Sequence, residues 1–190
     1  MVKKFSFKEL PLKDAYLIEP LLVDDLRGSV IKDYSLSTFK EAGINHILKE
    51  VFYTVSRRGV IRAIHFQEVK HQPKLVRCIS GKIYDVIVDL RPNSPTFKKW
   101  YGIFLSGDNP QEILVPEHFG HGYLVIEDSI VSYKCSEEYD ATYDSGIMYN
   151  DEELSILWPF DKIGGIDNII ISEKDKNLQS FNEYFNKGCK

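Results

Sequence analysis

From Gly59 to Cys135 the chain is a succession of short stretches in which apolar and polar residues alternate. The clearest is 82–91, where Tyr84, Val86, Val88 and Leu90 interleave with Ile83, Asp85, Ile87 and Asp89. One face of this stretch is wholly apolar and the other mixed, the pattern of a β-strand, whose successive side chains point to opposite faces. Similar runs occur at 59–66, 74–79, 100–105, 112–116, 122–126 and 130–135. Turn signals separate them: Ser80-Gly81, Arg91-Pro92-Asn93-Ser94-Pro95 and Ser106-Gly107-Asp108-Asn109-Pro110. Short strands at this spacing predict an all-β sandwich or barrel and exclude alternating βαβ units. Helix is expected only at the periphery. Ser37 to Ala42 reads as a short helix ended by Gly43, and Leu178, Phe181 and Phe185 as an amphipathic one closed by Gly188.

Bulk properties narrow the function. The 190 residues carry no low-complexity linker and no repeat, which predicts one domain over 1–190. A net charge of −4 with no basic stripe argues against nucleic acid as a partner. No uncharged apolar run is long enough to span a bilayer, and the N-terminus lacks a signal-peptide core, so a soluble cytoplasmic protein without a membrane partner is expected. Cys78, Cys135 and Cys189 are scattered, which suits a reducing compartment. Cys78 and Cys135 read as small core residues.

Two segments carry the chemistry. Gly59 to Gln67 followed by Lys74-Leu75-Val76-Arg77 places His65, Arg62, Lys74 and Arg77 on β-rich sequence, where an unpaired cation is costly. Pro116 to Tyr123 adds His118 and His121. Double-stranded β-helix proteins of the cupin type carry a glycine, five residues and His-x-His, then Pro-x-Gly-x-x-His. Here the second ligand position of the first motif is Gln67, and Glu68 falls on the opposite face of the strand from His65. Metal sites favour imidazoles and carboxylates, and Lys74 would set an ammonium beside the cation, so no metal is expected.

Taken in order, the motifs resemble the dTDP-4-dehydrorhamnose 3,5-epimerase family, a metal-free branch of the cupin fold. They are Asp25-Leu26-Arg27-Gly28, Gly59 to Gln67, Gln72 to Arg77, Asp85 to Phe97, Val115 to Tyr123, Tyr133-Lys134-Cys135, Gly146 to Asp151, Trp158-Pro159 and Ser172 to Asp175. The resemblance implies a double-stranded β-helix, a cupin-like jelly roll with short peripheral helices. It also implies epimerisation of a nucleotide-linked 4-keto-6-deoxyhexose at C3 and C5, whose hydrogens are acidified by the neighbouring ketone. On this resemblance His65 is the base, paired with Asp175; Lys74 stabilises the enolate oxygen; and Tyr133 delivers a proton to the opposite face. Arg62 holds the diphosphate, Arg27 reaches the phosphate of a neighbouring subunit in a homodimer with a shared active site, and His121 and Tyr139 contact the substrate. No cofactor is needed.

The departures fall in the binding set. Glu50, Phe52, Thr54 and Ser56 stand where the family has glutamine, asparagine and serines, and Val30 and Lys32 where it has aromatic and acidic residues. Tyr149 replaces a tryptophan and His118 a glycine. With Glu50 and Phe52 among the substrate-binding positions, this pattern suggests an altered substrate: another nucleotide, or inversion at one centre only. A metal-dependent cupin enzyme and a non-catalytic sugar-nucleotide-binding module are the alternatives from other classes.

Overall fold

The computed structural model describes residues 2–186. Five short strands open the chain: β1 (Val2–Lys3), β2 (Ser6–Glu9), β3 (Tyr16–Glu19), β4 (Leu21–Asp25) and β5 (Gly28–Lys32). Helix α1 (Leu36–Glu41) leads to β6 (Glu50–Ser56), β7 (Ile61–Gln67), β8 (Lys74–Asp89), β9 (Trp100–Ser106), β10 (Glu112–Val115), β11 (Phe119–Cys135) and β12 (Asp144–Gly146). Two short helices, α2 (Glu173–Lys176) and α3 (Phe181–Asn186), follow. No helix among the described residues is long and apolar enough to cross a membrane.

Strands β8 and β11 build the molecule. They pair antiparallel along almost their whole length, and each changes its outer neighbour halfway. Residues 121–124 of β11 pair with β7 and residues 129–135 with β6. Likewise 74–77 of β8 pair with β10 and 82–88 with β9. The result is two leaves, β12-β7-β11-β8-β9 and β6-β11-β8-β10-β3-β2, that share their central strands. This is a cupin-like jelly roll. Strands β1, β4 and β5 form a separate small sheet.

The expected breaks at Ser80-Gly81 and between 126 and 130 are therefore bends within continuous strands, not hairpin turns. Register shifts at Val125/Glu127, Glu127/Ile130 and Ile130/Val131 take up the change of direction. Gly81 makes the corner possible. Its φ is +76°, and a Cβ there would lie 2.0 Å from the carbonyl oxygen of Asp128.

Alternation then sorts the side chains into three cores. Val76, Cys78, Ile83, Ile87, Leu105, Ile113, Val125 and Val131 meet between the leaves. Val86, Val88, Leu90, Leu124 and Ile126 face outward and are covered by Leu154, Trp158, Ile163 and Phe181 of the C-terminal segment. Leu75, Leu114 and Ile18 face outward on the other leaf, beneath Phe39 of α1. The mixed face expected for 82–91 is thus fully buried, because the second leaf lies against it. Cys78 and Cys135 are buried thiols that burial pushes up to about 11. The C-terminal helix starts at Phe181, so Leu178 precedes it, while Gly188 and Cys189 lie outside the described residues.

Candidate active site

Strand β7 breaks the alternation where the chemistry sits. His121 and Tyr123 are two apart on β11, but their partners His65 and Arg62 are three apart on β7. This bulge turns both Ala63 and Ile64 into the outer core and leaves Arg62 and His65 both facing inward. Gly122 lies against the bulge. A Cβ there would come within 2.7 Å of the Arg62 carbonyl oxygen and 2.8 Å of the Ala63 Cα, so only glycine permits the approach.

Arg62, His65, Lys74, His121 and Tyr133 line one cavity of about 460 Å³, with Phe52 and Thr54 from β6 and Asp175 from α2. The His65 Nε2 is 3.1 Å from Asp175 Oδ2. Ser172, the N-cap of α2, fixes that carboxylate: its Oγ donates to Oδ1 at 2.8 Å and accepts from the Asp175 amide at 3.0 Å. Burial acts to raise the Asp175 pKa, but the bonds from His65 and Ser172 outweigh it and hold the carboxyl below its ordinary value. An imidazole held this way has one fixed tautomer.

Lys74 lines the same cavity. Burial depresses its pKa, against the opposing pull of Cys135, Asp144, Asp85 and Glu50. Its ammonium makes no hydrogen bond or ion pair among the described residues, so its charge is available to a ligand. Tyr133 is 7% exposed. Burial, then the neighbouring Tyr123 and Asp85, push its phenol well above the ordinary value, so it remains protonated. Phe52 stacks on its ring at 4.7 Å, and His121 meets it at 5.8 Å, edge-on. His121 in turn binds Asp85 Oδ2 at 2.8 Å, while Asp85 Oδ1 is buried with no hydrogen-bond partner among the described residues.

The remaining expected residues divide. Arg62 reaches Ser56 Oγ at 3.3 Å on the cavity wall. Tyr139 stands on the rim, half exposed, and donates to Asp144 Oδ2 at 3.0 Å. Glu50 does not line the cavity. Its Oε2 accepts from Gln72 Nε2 and from the Tyr139 amide, both at 3.1 Å, so it braces the loop that carries Tyr139. Arg27 lies outside the cavity at the tip of the β4–β5 hairpin, 89% exposed and paired with Asp25 at 2.6 Å. Gln67, at the second metal-ligand position, spends its amide on Lys70, Glu138 and Asp140 of the neighbouring loops. Among the described residues no three His, Cys, Asp or Glu side chains gather as a metal-ligand set.

Several lining residues went unforeseen. Asp144, on the short β12, and Lys174 share an ion pair on the rim beneath Tyr139. Tyr123 donates or accepts with Thr54 Oγ1 at 2.8 Å inside the cavity. Lys174 and Tyr123 sit within the motifs read from the sequence, whereas nothing local marks Asp144.

A jelly roll with a histidine–carboxylate pair, a lysine unpaired among the described residues and a protonated tyrosine around one cavity defines a cupin-like protein built for proton transfer beside an oxyanion. The profile of the dTDP-4-dehydrorhamnose 3,5-epimerases matches residues 9–183, and the chain belongs to that family. It is 42% identical over 181 residues to the dTDP-4-dehydrorhamnose 3,5-epimerase of Methanothermobacter thermautotrophicus, covering 95% of this chain and 96% of that one. The crystal structure of the Bacillus anthracis dTDP-4-dehydrorhamnose 3,5-epimerase with TDP and pyrophosphate bound superposes with a TM-score of 0.87 at 40% identity, covering 94% of this chain and all of that one (100%). That of the Legionella pneumophila dTDP-6-deoxy-D-glucose-3,5-epimerase with dTDP-4-keto-L-rhamnose gives 0.90 at 30% identity, covering 97% and 96%.

Proposed function

We propose that the chain, working as one domain, is an epimerase that inverts C3 and C5 of a dTDP-linked 4-keto-6-deoxyhexose. His65, its tautomer set by Asp175, removes the proton next to the ketone. The electron pair of the broken C–H bond moves into the enolate, whose oxygen is stabilised by the Lys74 ammonium. Tyr133 then protonates the same carbon from the opposite face. The reaction consumes no cofactor, since the ketone accepts the electron pair and returns it. Arg62 would hold the diphosphate through its guanidinium fork, His121 the sugar, and Tyr139 the base by stacking.

The observation that carries this reading is the convergence of His65, Lys74, Tyr133 and Asp175 on one cavity, with the lysine left unpaired. A homodimer belongs to the same proposal. Leu26 and Arg27 project from an exposed hairpin, and the open edge strand β6 shows Val51, Tyr53 and Val55 to solvent, 59%, 70% and 74% exposed. A hairpin of one subunit lying against β6 of the other would carry Arg27 toward that subunit's cavity. The reaction's nucleotide-sugar chemistry belongs in the cytoplasm.

The experiment is proton NMR of dTDP-4-keto-6-deoxyglucose in D₂O with the purified protein. Deuterium entering at both C3 and C5 with formation of the inverted sugar supports the proposal. Entry at one position alone would make it a single-centre epimerase, and no entry would overturn it.

A further inference from the structure

Phe52 is not a core residue. It is 38% exposed at the mouth of the cavity and belongs to none of the three apolar clusters. Val51, Tyr53 and Val55 take the outer face of β6, so Phe52 and Thr54 are the residues through which this strand addresses the cavity. The ring contact that Phe52 makes among the described residues is with Tyr133. The planes are 7° apart, and the two residues are direct partners in the β6–β11 register. With Phe52 flat on it and His121 edge-on at 77°, the phenol ring is held against tilting.

We infer that Phe52 is a positioning residue, which fixes the Tyr133 phenol on the line from which it protonates the substrate carbon. The inference rests on the reading of Tyr133 as the acid. In that step the Tyr133 O–H bond breaks, its proton forms the new C–H bond, and the electron pair remains as phenolate. His65 meanwhile holds the proton it removed, and that proton returns to the phenolate through solvent. Inversion therefore depends on the aim of Tyr133, whereas His65 alone can remove a proton and give one back on the same face. Phe52 supplies rigidity without a hydrogen-bonding group that would compete for the phenol. An asparagine or serine in its place could do neither.

The test follows two processes in D₂O: inversion, and wash-in of deuterium into recovered, uninverted substrate. Phe52→Asn and Phe52→Trp are compared with the wild type and with Tyr133→Phe, with melting curves for each. Misplacing a catalytic group costs roughly tenfold or more in rate. Phe52→Asn is expected to lose about that factor in inversion while keeping wash-in, KM and melting temperature, and Phe52→Trp to restore inversion. Inversion and wash-in falling together would mean a binding role and overturn the inference. Normal inversion in Phe52→Asn, with Tyr133→Phe impaired, would overturn it while leaving Tyr133 as the acid. Normal inversion in Tyr133→Phe would remove the reading and the inference together.

Discussion

Asp85 and Asp89 lie four residues apart on the same strand, point to the same face and are both fully buried, yet they have opposite environments. Asp89 is saturated. Arg91 reaches it three ways, from its amide at 3.0 Å and its guanidinium at 2.9 and 2.8 Å, and the hydroxyls of Ser94 and Thr96 donate at 2.5 and 2.6 Å. Burial alone would raise its pKa, but these donors hold it at about 2. The carboxylate ties the 91–97 loop into a knot and has nothing left to offer a ligand. Asp85 has His121 on one oxygen and no hydrogen-bond partner among the described residues on the other, and His121, which it holds, lines the cavity that Lys74 also lines. Buried charge is expensive in both places. Asp89, with every valence filled, holds structure, whereas Lys74, without a hydrogen bond or ion pair among the described residues and lining the cavity, is open to a substrate.

Changes on the two sides of this comparison should separate activity from stability. The largest effect is expected from His65→Ala, which should lower the epimerisation rate by roughly 10³-fold, within the usual range for a general base, with little change in melting. A rate within threefold of wild type would remove His65 from the mechanism. Asp89→Asn should do the reverse. It breaks a buried charged network and should cost about 3 kcal/mol in denaturant unfolding, while the folded fraction keeps its activity in the cold. Because its pKa is depressed, the stability Asp89 contributes is complete above its unfolded value of 3.8 and is lost as pH falls through about 2. The variant should therefore flatten the acid limb of the stability profile.

Glu112 gives a third case, unsatisfied but away from any substrate. It is fully buried, pairs with Lys134 at 3.3 Å and leaves Oε1 without a partner among the described residues. Burial, against the pull of Lys134, raises its pKa to about 7. A raised carboxylate pKa means that the folded state prefers the proton. Its contribution is complete below the unfolded value of 4.5 and is lost as pH rises through about 7. Glu112→Gln, which keeps the shape and removes the charge, should stabilise the protein above pH 7 by at most about 3 kcal/mol and change nothing at pH 4. Urea unfolding at the two pH values measures this, and equal effects at both would contradict it.

The sequence made much of this legible because strand alternation and turn residues are local signals. The β-rich interior, the peripheral helices and the segments bearing His65, Lys74 and Tyr133 all follow from them. What stayed hidden depends on partners distant in sequence. Ser80-Gly81 has the chemistry of a hairpin turn, and only pairing with β11 across the corner keeps β8 continuous. Strict alternation separates Arg62 from His65, and the bulge that reunites them shows only in the register with His121 and Tyr123. Strands β1 to β5 gave no clear signal because they are short, and β6 because it is mostly exposed along its seven residues, which weakens the apolar period. Glu50 stands among the expected substrate-binding positions by its match to a family position, which does not show the Gln72 and Tyr139 groups that hold its side chain.

The most direct test of the account is Lys74→Met, with melting temperature and epimerisation rate measured on the same preparation. Methionine keeps the aliphatic chain and deletes a charge that makes no hydrogen bond or ion pair among the described residues. The account predicts a rate at least about 100-fold lower, as for loss of an oxyanion stabiliser, with a melting temperature equal to or above that of the wild type. A lower melting temperature with the rate preserved would show that Lys74 serves the fold and not the reaction.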